Sequence, residues 1–91
     1  MSGGRKMRLK EGFIVHENRD EQIMVDAAGT FAGMVRNNKT AAFIVNCLKH
    51  DTTMEAITNS LYEKYDAPLE EIQQDVNNII QKLKSIGAID E

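Results

Sequence analysis

The side chains best suited to catalysis or metal binding are two histidines, one cysteine and several carboxylates. His16 and His50 do not stand at metal-ligand spacing with Cys47, and a structural zinc site needs four ligands that converge. Cys47 lies between Ile44 and Leu48 in an apolar helical pattern, which is typical of a small buried side chain rather than of a nucleophile. A His–Cys pair would also need a third group to orient it, and the pattern marks none. The sequence therefore predicts no catalytic residue, no metal site and no cofactor.

The densest carboxylates follow Pro68. Glu70, Glu71 and Asp75 fall in the first turns of a predicted helix, where negative charge is favourable beside the positive end of the helix. Residues 1–49 carry eight Lys or Arg against five Asp or Glu, a net of +3, whereas residues 50–91 carry three against nine, a net of −6. Affinity for nucleic acid depends on Lys and Arg side chains that neutralise phosphates, so residues 50–91 are expected to bind nucleic acid poorly. A DNA-binding winged-helix regulator is therefore the alternative function, not the favoured one.

The element that positions those carboxylates is a helix predicted over Pro68–Gly87. Its apolar residues recur in steps of three and four, which predicts one stripe along one face. The stripe consists of Leu69, Ile72, Val76, Ile79, Ile80, Leu83 and Ile86. A proline near the start and a glycine after the end are typical helix boundaries. The stripe predicts a helix that packs on a core and that could also form one wall of a groove.

Two shorter helices are predicted before this one. The first covers Lys39–His50, with Asn38 as the N-cap, and the second covers Met54–Tyr65, with Thr52 or Thr53 as the N-cap. Apolar residues share one face of each helix, so both are expected to pack on the same core. The faces consist of Ala41, Ile44, Val45 and Leu48 in the first helix, and Ile57 and Leu61 with Met54 and Tyr65 in the second.

Three short strands are predicted ahead of the helices, over Gly12–Glu17, Glu21–Asp26 and Ala32–Arg36. A meander of three strands gives an antiparallel sheet that needs a layer of helices against one face. The element order β-β-β-α-α-α thus predicts an α+β fold. The short third strand is expected to leave a sheet edge with unpaired N–H and C=O groups, and an extended peptide can add to such an edge.

Length and composition set further bounds. A chain of 91 residues predicts one domain, which we place at residues 7–91 after a disordered N-terminal lead at residues 1–6. The sequence contains no apolar run near the ~20 residues that span a membrane and no signal-peptide pattern. One cysteine excludes a disulfide within the chain and is typical of a reducing compartment. A cytoplasmic protein is expected.

Four segments, in order, resemble the small proteins related to the pyrroloquinoline quinone synthesis protein D (PqqD). They are Met7–Glu17, Gly33–Leu48, Thr52–Asp66 and Gln74–Ile89. Each segment is short, but their order and spacing together cover nearly the whole chain from Met7. Two positions depart from the family pattern, since Asn37 replaces a leucine and Val45 replaces a tryptophan. The first departure predicts a polar group where the family buries an apolar one.

The resemblance implies a winged helix-turn-helix-like fold that is used for peptides instead of DNA. Proteins of this family are recognition elements for ribosomally made, post-translationally modified peptides. They bind the leader segment of a precursor peptide without catalysis, and they deliver the peptide to a modifying enzyme, often a radical S-adenosylmethionine (SAM) enzyme. Neither nucleic acid nor a membrane is implied as a partner. A homodimer that pairs through the open sheet edge is a third hypothesis.

The resemblance also implies where the leader would lie. It would add as a further strand beside the third strand, in the cleft between that strand and the third helix. The matching strand positions are Gly33, Met34, Val35 and Arg36, and the matching helix positions are drawn from Ile72, Val76, Ile79, Lys82 and Leu83. In this arrangement main-chain hydrogen bonds give affinity that tolerates sequence variation, and apolar leader side chains between strand and helix give selectivity.

Overall fold

The computed structural model describes residues 6–19, 21–27 and 34–91 of the chain. Five strands and three helices follow one another within these residues. The strands are β1 (Arg8–Leu9), β2 (Phe13–Glu17), β3 (Gln22–Asp26), β4 (Met34–Asn37) and β5 (Ile89–Asp90). The helices α1 (Lys39–Cys47), α2 (Met54–Lys64) and α3 (Leu69–Ser85) lie between β4 and β5. The predicted α+β fold, a small antiparallel sheet with three helices, is confirmed.

The sheet that was predicted from the sequence is the meander β2-β3-β4, in which both pairs of strands are antiparallel. Met24 pairs with Val15 on one side and with Val35 on the other, so these three side chains share one face of the sheet. Met24 is fully buried, and the other two are partly buried against the hydrophobic core. This inner face is therefore the one that packs on the helices.

Side-chain caps fix the starts of the first two helices. The Asn38 side chain accepts a hydrogen bond from the Ala41 amide at 2.9 Å, and the Thr53 hydroxyl accepts one from the Ala56 amide at 3.1 Å. Each cap satisfies one of the amides that the first turn of a helix leaves unpaired. Asn38 was predicted, and Thr53 is the correct choice of the two threonines.

The end of α3 returns the chain toward its N-terminal segment. Gly87 has a φ of +75°, its amide donates to the Lys84 carbonyl at 3.0 Å, and the Ala88 amide donates to the Leu83 carbonyl at 2.9 Å. This pair of hydrogen bonds closes a helix through a residue in the left-handed region, which glycine adopts without a steric penalty. The turn lets β5 pair with β1 in a small second sheet.

The N-terminal segment is more firmly held than the sequence indicates. Met7 is buried and exchanges two main-chain hydrogen bonds with Thr52, at 2.7 and 2.9 Å. The Leu9 amide donates to the Leu48 carbonyl, and the Lys10 amide donates to the Ala88 carbonyl. The segment thus joins the loop after α1 to the C-terminal strand. Of the predicted lead at residues 1–6, all but Lys6 lies outside the described residues.

One hydrophobic core lies between the inner sheet face and the helices. Its buried members are Met7, Met24, Ile44, Val45, Leu48, Ile57, Leu61, Ile72, Val76, Ile80, Leu83 and Ala88. The predicted apolar faces of α1 and α2 are confirmed. Most of the α3 stripe is buried as well, but Leu69 is exposed, and Ile79 and Ile86 are only partly buried. None of the helices in the described part of the chain has the length and apolar content that crossing a bilayer requires.

Candidate functional site

The candidate site begins with the order of the strands. β4 is hydrogen-bonded to β3 on one side, and the described residues place no strand on its other side. Within the described residues, the main-chain groups along that side have no strand partner, and an extended peptide can pair with an edge of this kind. This is the open edge that the short third strand predicts. Gly33, which was predicted as part of it, lies outside the described residues.

The register settles which residues of β4 point their main-chain groups outward. Main-chain hydrogen bonds from Asn18 to Glu21 (2.9 Å) and from Ala27 to Gly12 (2.6 Å) close the two ends of the β2-β3 ladder. Antiparallel pairs alternate between hydrogen-bonded and non-hydrogen-bonded. Ile14↔Val25 and His16↔Ile23 are therefore the hydrogen-bonded pairs between β2 and β3. It follows that Met24, like Gln22, turns its own main-chain groups away from β2 and toward β4.

The same alternation carries across β3 to the open edge. Val35 pairs with Met24, and Asn37 pairs with Gln22, so these two β4 residues bond to β3. Met34 and Arg36 consequently point their N–H and C=O groups away from the sheet, toward the open edge. The Met34 side chain is 56% exposed, and that of Arg36 is exposed as well. These two residues are the part of β4 that an added strand would meet.

The five predicted residues of α3 divide into two groups. Ile72, Val76 and Leu83 are buried in the core, with Val76 fully inaccessible. Ile79 is partly buried and packs against the same core, to which β4 contributes Val35. Lys82 is exposed in the last turns of the helix. Sequence periodicity placed the four apolar residues on the same side of α3, and the family resemblance added Lys82. The structure leaves surface mainly at Ile79 and Lys82.

Two positive charges near the predicted site, those of Arg36 and Lys82, have no ion-pair partner among the described residues. In the part of the chain that the structure describes, the ion pairs are Arg8 with Asp51 and Lys84 with Glu91. Arg36 and Lys82 take part in neither pair. Both side chains can therefore interact with an acidic ligand, although such exposed contacts affect encounter more than affinity.

The last residue of β4, Asn37, belongs to a buried pair of amide side chains. The sequence predicts a polar group at this position but not its partner. Asn37 is 6% exposed, and its Nδ2 donates to Oε1 of Gln22, which is 1% exposed, at 2.7 Å. Nε2 of Gln22 donates to Oε1 of Glu17 at 3.0 Å, and Nδ2 of Asn46 donates to the same oxygen at 3.0 Å. The buried polar group expected at position 37 is confirmed, and Gln22 is the partner that makes it tolerable. The sequence does contain a feature that could have identified this partner, because Gln22 is an amide side chain at an inward-facing position of the neighbouring strand.

Two ionisable groups respond to these surroundings. Hydrogen bonds from Asn46 and Gln22 hold the pKa of the Glu17 carboxyl below its ordinary value. Burial raises the pKa of the Cys47 thiol, which keeps it protonated and less nucleophilic. Among residues 6–19, 21–27 and 34–91, no three His, Cys, Asp or Glu side chains converge in a way that could hold a metal ion.

Two clefts flank the site. An open cleft of about 490 Å³ lies between the β2-β3 turn, the start of α1 and the end of α2. Most of the residues that line it are polar or charged, among them Asn37 and Lys64, and Phe43 adds an aromatic ring. A smaller cavity of about 160 Å³ lies beside the first turns of α3. Thr40 and Ile72 line the smaller cavity, so it reaches one of the α3 positions predicted to contact a peptide.

Two comparisons of the sequence found related proteins. A model of the family described as coenzyme PQQ synthesis protein D (PqqD) matches residues 11–89. A PqqA binding protein of Rhizobium meliloti (strain 1021) is 29% identical over 85 residues, which are 91% of this chain and 83% of that protein.

Two solved structures share the fold. TbiB1 in complex with the TbiA(beta) leader peptide superposes with a TM-score of 0.80 at 11% identity, over 91% of this chain and 94% of TbiB1. Lasso peptide synthetase B1 complexed with the leader peptide superposes with a TM-score of 0.76 at 21% identity, over 93% of this chain and 98% of that protein. At these identities the likeness establishes the fold alone.

Proposed function

The chain belongs to the coenzyme PQQ synthesis protein D (PqqD) family, and on that premise we propose that it binds the leader segment of a ribosomally made precursor peptide. It acts in the cytoplasm as a non-catalytic recognition element and delivers the peptide to a modifying enzyme of the radical SAM class. The names of its relatives support the peptide ligand, since one is a PqqA binding protein and two were solved with leader peptides.

The observation that carries the proposal is the open edge of β4. Met34 and Arg36 offer outward N–H and C=O groups, and strand addition satisfies such groups without demanding a particular ligand sequence. Each hydrogen bond adds a modest free energy, but several in register fix the direction and position of the peptide. An extended leader is therefore the ligand class that matches this edge.

Side chains of the added strand alternate between the two faces of the sheet. Leader residues on the inner side approach Val35, and those on the outer side approach Met34 and Arg36. We assign the apolar inner contacts to Val35 and Ile79, both partly buried against the core. Lys82 and Arg36 favour acidic residues in the leader. The buried residues of α3 hold the helix in place behind this contact, and they are Ile72, Val76 and Leu83.

The chain delivers the precursor to the enzyme because it keeps the leader bound while the enzyme acts. A leader held on this domain keeps the remainder of the precursor near the enzyme, which raises the effective concentration of the segment to be modified. The carrier needs no catalytic group for this role. The enzyme gains most at low precursor concentration, where its own affinity for the peptide limits the rate.

The direct test is a calorimetric titration of the chain with a precursor peptide identified by a search of the neighbouring genes. The intact precursor and its isolated leader should bind with one site per chain, and the precursor without its leader should not bind. Equal binding of the leaderless peptide would contradict the assignment, as would a leader that produces no heat and no competition. Adding the chain to the neighbouring radical SAM enzyme should raise modification of the intact precursor but not of the leaderless one.

A further inference from the structure

The outer face of the β2-β3-β4 sheet is more apolar than a solvated face should be. The register aligns two rows of side chains on it, which we call the outer face. The rows are Ile14, Val25 and Met34, and His16, Ile23 and Arg36. An antiparallel sheet with one face on the core normally carries polar residues on its other face. Here four of the six outward side chains are apolar.

These side chains are accessible to a partner. Met34 is 56% exposed and Ile14 is 44% exposed, while Ile23 and Val25 between them are partly buried. Exposed apolar side chains that adjoin one another mark interaction surfaces more often than isolated ones do. The inner face shows the reverse at one end, because there the polar side chains of Gln22 and Asn37 are buried.

The charge of the outer face indicates the chemistry of its partner. None of the six side chains is acidic, and Arg36 and His16 lie at the same end of the face, beyond which the exposed Glu21 follows in the same register. A complementary surface would carry apolar side chains in its centre and carboxylates at its rim. Electrostatic complementarity of this kind would select among partners and orient the one that fits.

The outer face is too small to hold a second copy of this chain by itself. Three strands at ~4.8 Å spacing and about four residues at ~3.3 Å each give an area of roughly 200 Å². A stable protein pair buries about 800 Å² on each partner. The face must therefore be one part of a larger contact.

One further part of that contact is the peptide. A leader strand added to β4 extends the sheet, so every second leader side chain would continue the rows of the outer face. We propose, resting on the proposed function, that the outer face and these leader side chains together form the docking surface for the modifying enzyme. The enzyme would contact the chain and the leader at once, and it would bind the loaded chain more tightly than the empty one.

Ile14 is the residue that isolates this proposal from leader binding. It lies on β2, two strands and about 10 Å from the open edge of β4, beyond the reach of most leader side chains. Tyr62 on α2 is a matched control, because it is 51% exposed and lies away from the sheet. Ile14→Glu adds charge, and Ile14→Thr keeps a β-branched side chain in case the first variant disturbs the strand.

The experiment measures binding of a radical SAM enzyme, identified by the same search of the neighbouring genes, to the chain with and without saturating leader, by surface plasmon resonance. Ile14→Glu should lower enzyme affinity for the loaded chain at least about tenfold, as expected for a buried interface position, while leader affinity stays within about twofold. Ile14→Thr should give a smaller loss in the same direction. Tyr62→Glu should change neither affinity.

Other outcomes would contradict the proposal, or would separate it from the proposed function. Unchanged enzyme affinity in Ile14→Glu would show that the outer face is not the docking surface. An equal loss of leader affinity would assign the face to the peptide. Sedimentation of a wild-type dimer that Ile14→Glu converts to a monomer would assign the face to a second copy. If wild type binds no leader, the proposed function fails, and the docking surface then survives only if the empty chain binds enzyme in an Ile14-dependent manner.

Discussion

The two walls of the proposed peptide site, β4 and α3, differ in what they leave for a ligand. Met34 and Arg36 on β4 present outward main-chain groups and exposed side chains. On α3, Val76 and Leu83 are buried in the core, and Ile79 is only partly accessible. An edge strand keeps one side free for hydrogen bonding, whereas most of the apolar side chains of a packed helix are already buried in the core. The strand is therefore expected to supply most of the affinity, and the helix to supply shape.

The largest expected effect concerns two adjacent isoleucines of α3. Ile80 is 1% exposed, so Ile80→Ala should lower the free energy of unfolding by about 2–5 kcal/mol. Ile79 is partly buried, so Ile79→Ala should cost about half as much or less, because fewer contacts are lost. Urea unfolding of the two variants measures the difference. Equal losses would mean that Ile79 belongs wholly to the core and that α3 offers no apolar wall.

The next effect concerns the buried end of β4. Asn37→Leu restores the residue typical of the family but removes the donor to Oε1 of Gln22, and it should cost about 1–3 kcal/mol. Adding Gln22→Met removes the stranded acceptor as well, so the double variant should regain part of that loss. A double-mutant cycle by urea unfolding gives the coupling. Strictly additive losses would show that the pair contributes nothing as a pair.

A smaller effect tests the outward main-chain groups of β4. Arg36→Pro removes the outward N–H, and proline is tolerated on a strand edge where that group does not bond within the sheet. Leader affinity should fall about tenfold beyond the loss in Arg36→Ala, because the alanine variant loses the charge but keeps the N–H. Calorimetry gives both affinities, and circular dichroism checks the fold. Equal affinities in the two variants would contradict a main-chain hydrogen bond between the Arg36 N–H and the leader.

The smallest effect tests the charge on the helix. Lys82→Ala should weaken binding of an acidic leader about twofold to fivefold, mainly through slower association at low salt. Lys84 on the same helix is the control, since it already pairs with Glu91 at 3.4 Å. Stopped-flow association at two salt concentrations compares the two variants. An equal effect of Lys84→Ala would indicate a general field rather than a contact at Lys82.

The sequence predicts the helices well because their periodicity and caps are local. Asn38 and Thr53 cap as expected, and the faces of α1 and α2 are buried as expected. Each helix ends slightly earlier than the pattern indicates. The sequence indicates an extended pair at Ala88 and Ile89, which corresponds to β5. It does not reveal β1 or the pairing of β1 with β5, because a two-residue strand is too short to show alternation and the pairing joins opposite ends of the chain.

The candidate site is harder to derive from the sequence than the fold. Periodicity identifies which residues of α3 share a face, but it does not tell how deeply the opposing layer covers Val76 and how little it covers Ile79. The apolar outer face was also missed, because Ile23, Met24 and Val25 form a continuous apolar run that hides which members point outward. Only the register separates them.

Amide hydrogen exchange of the ¹⁵N-labelled chain, with and without the leader, tests strand addition at β4 most directly. In the free chain, the Val35 and Asn37 amides should already be protected by β3, while the Met34 and Arg36 amides should exchange fast. Leader binding should slow exchange at Met34 and Arg36. Binding that leaves these two amides fast, or that protects the opposite edge at Val15 instead, would contradict the account.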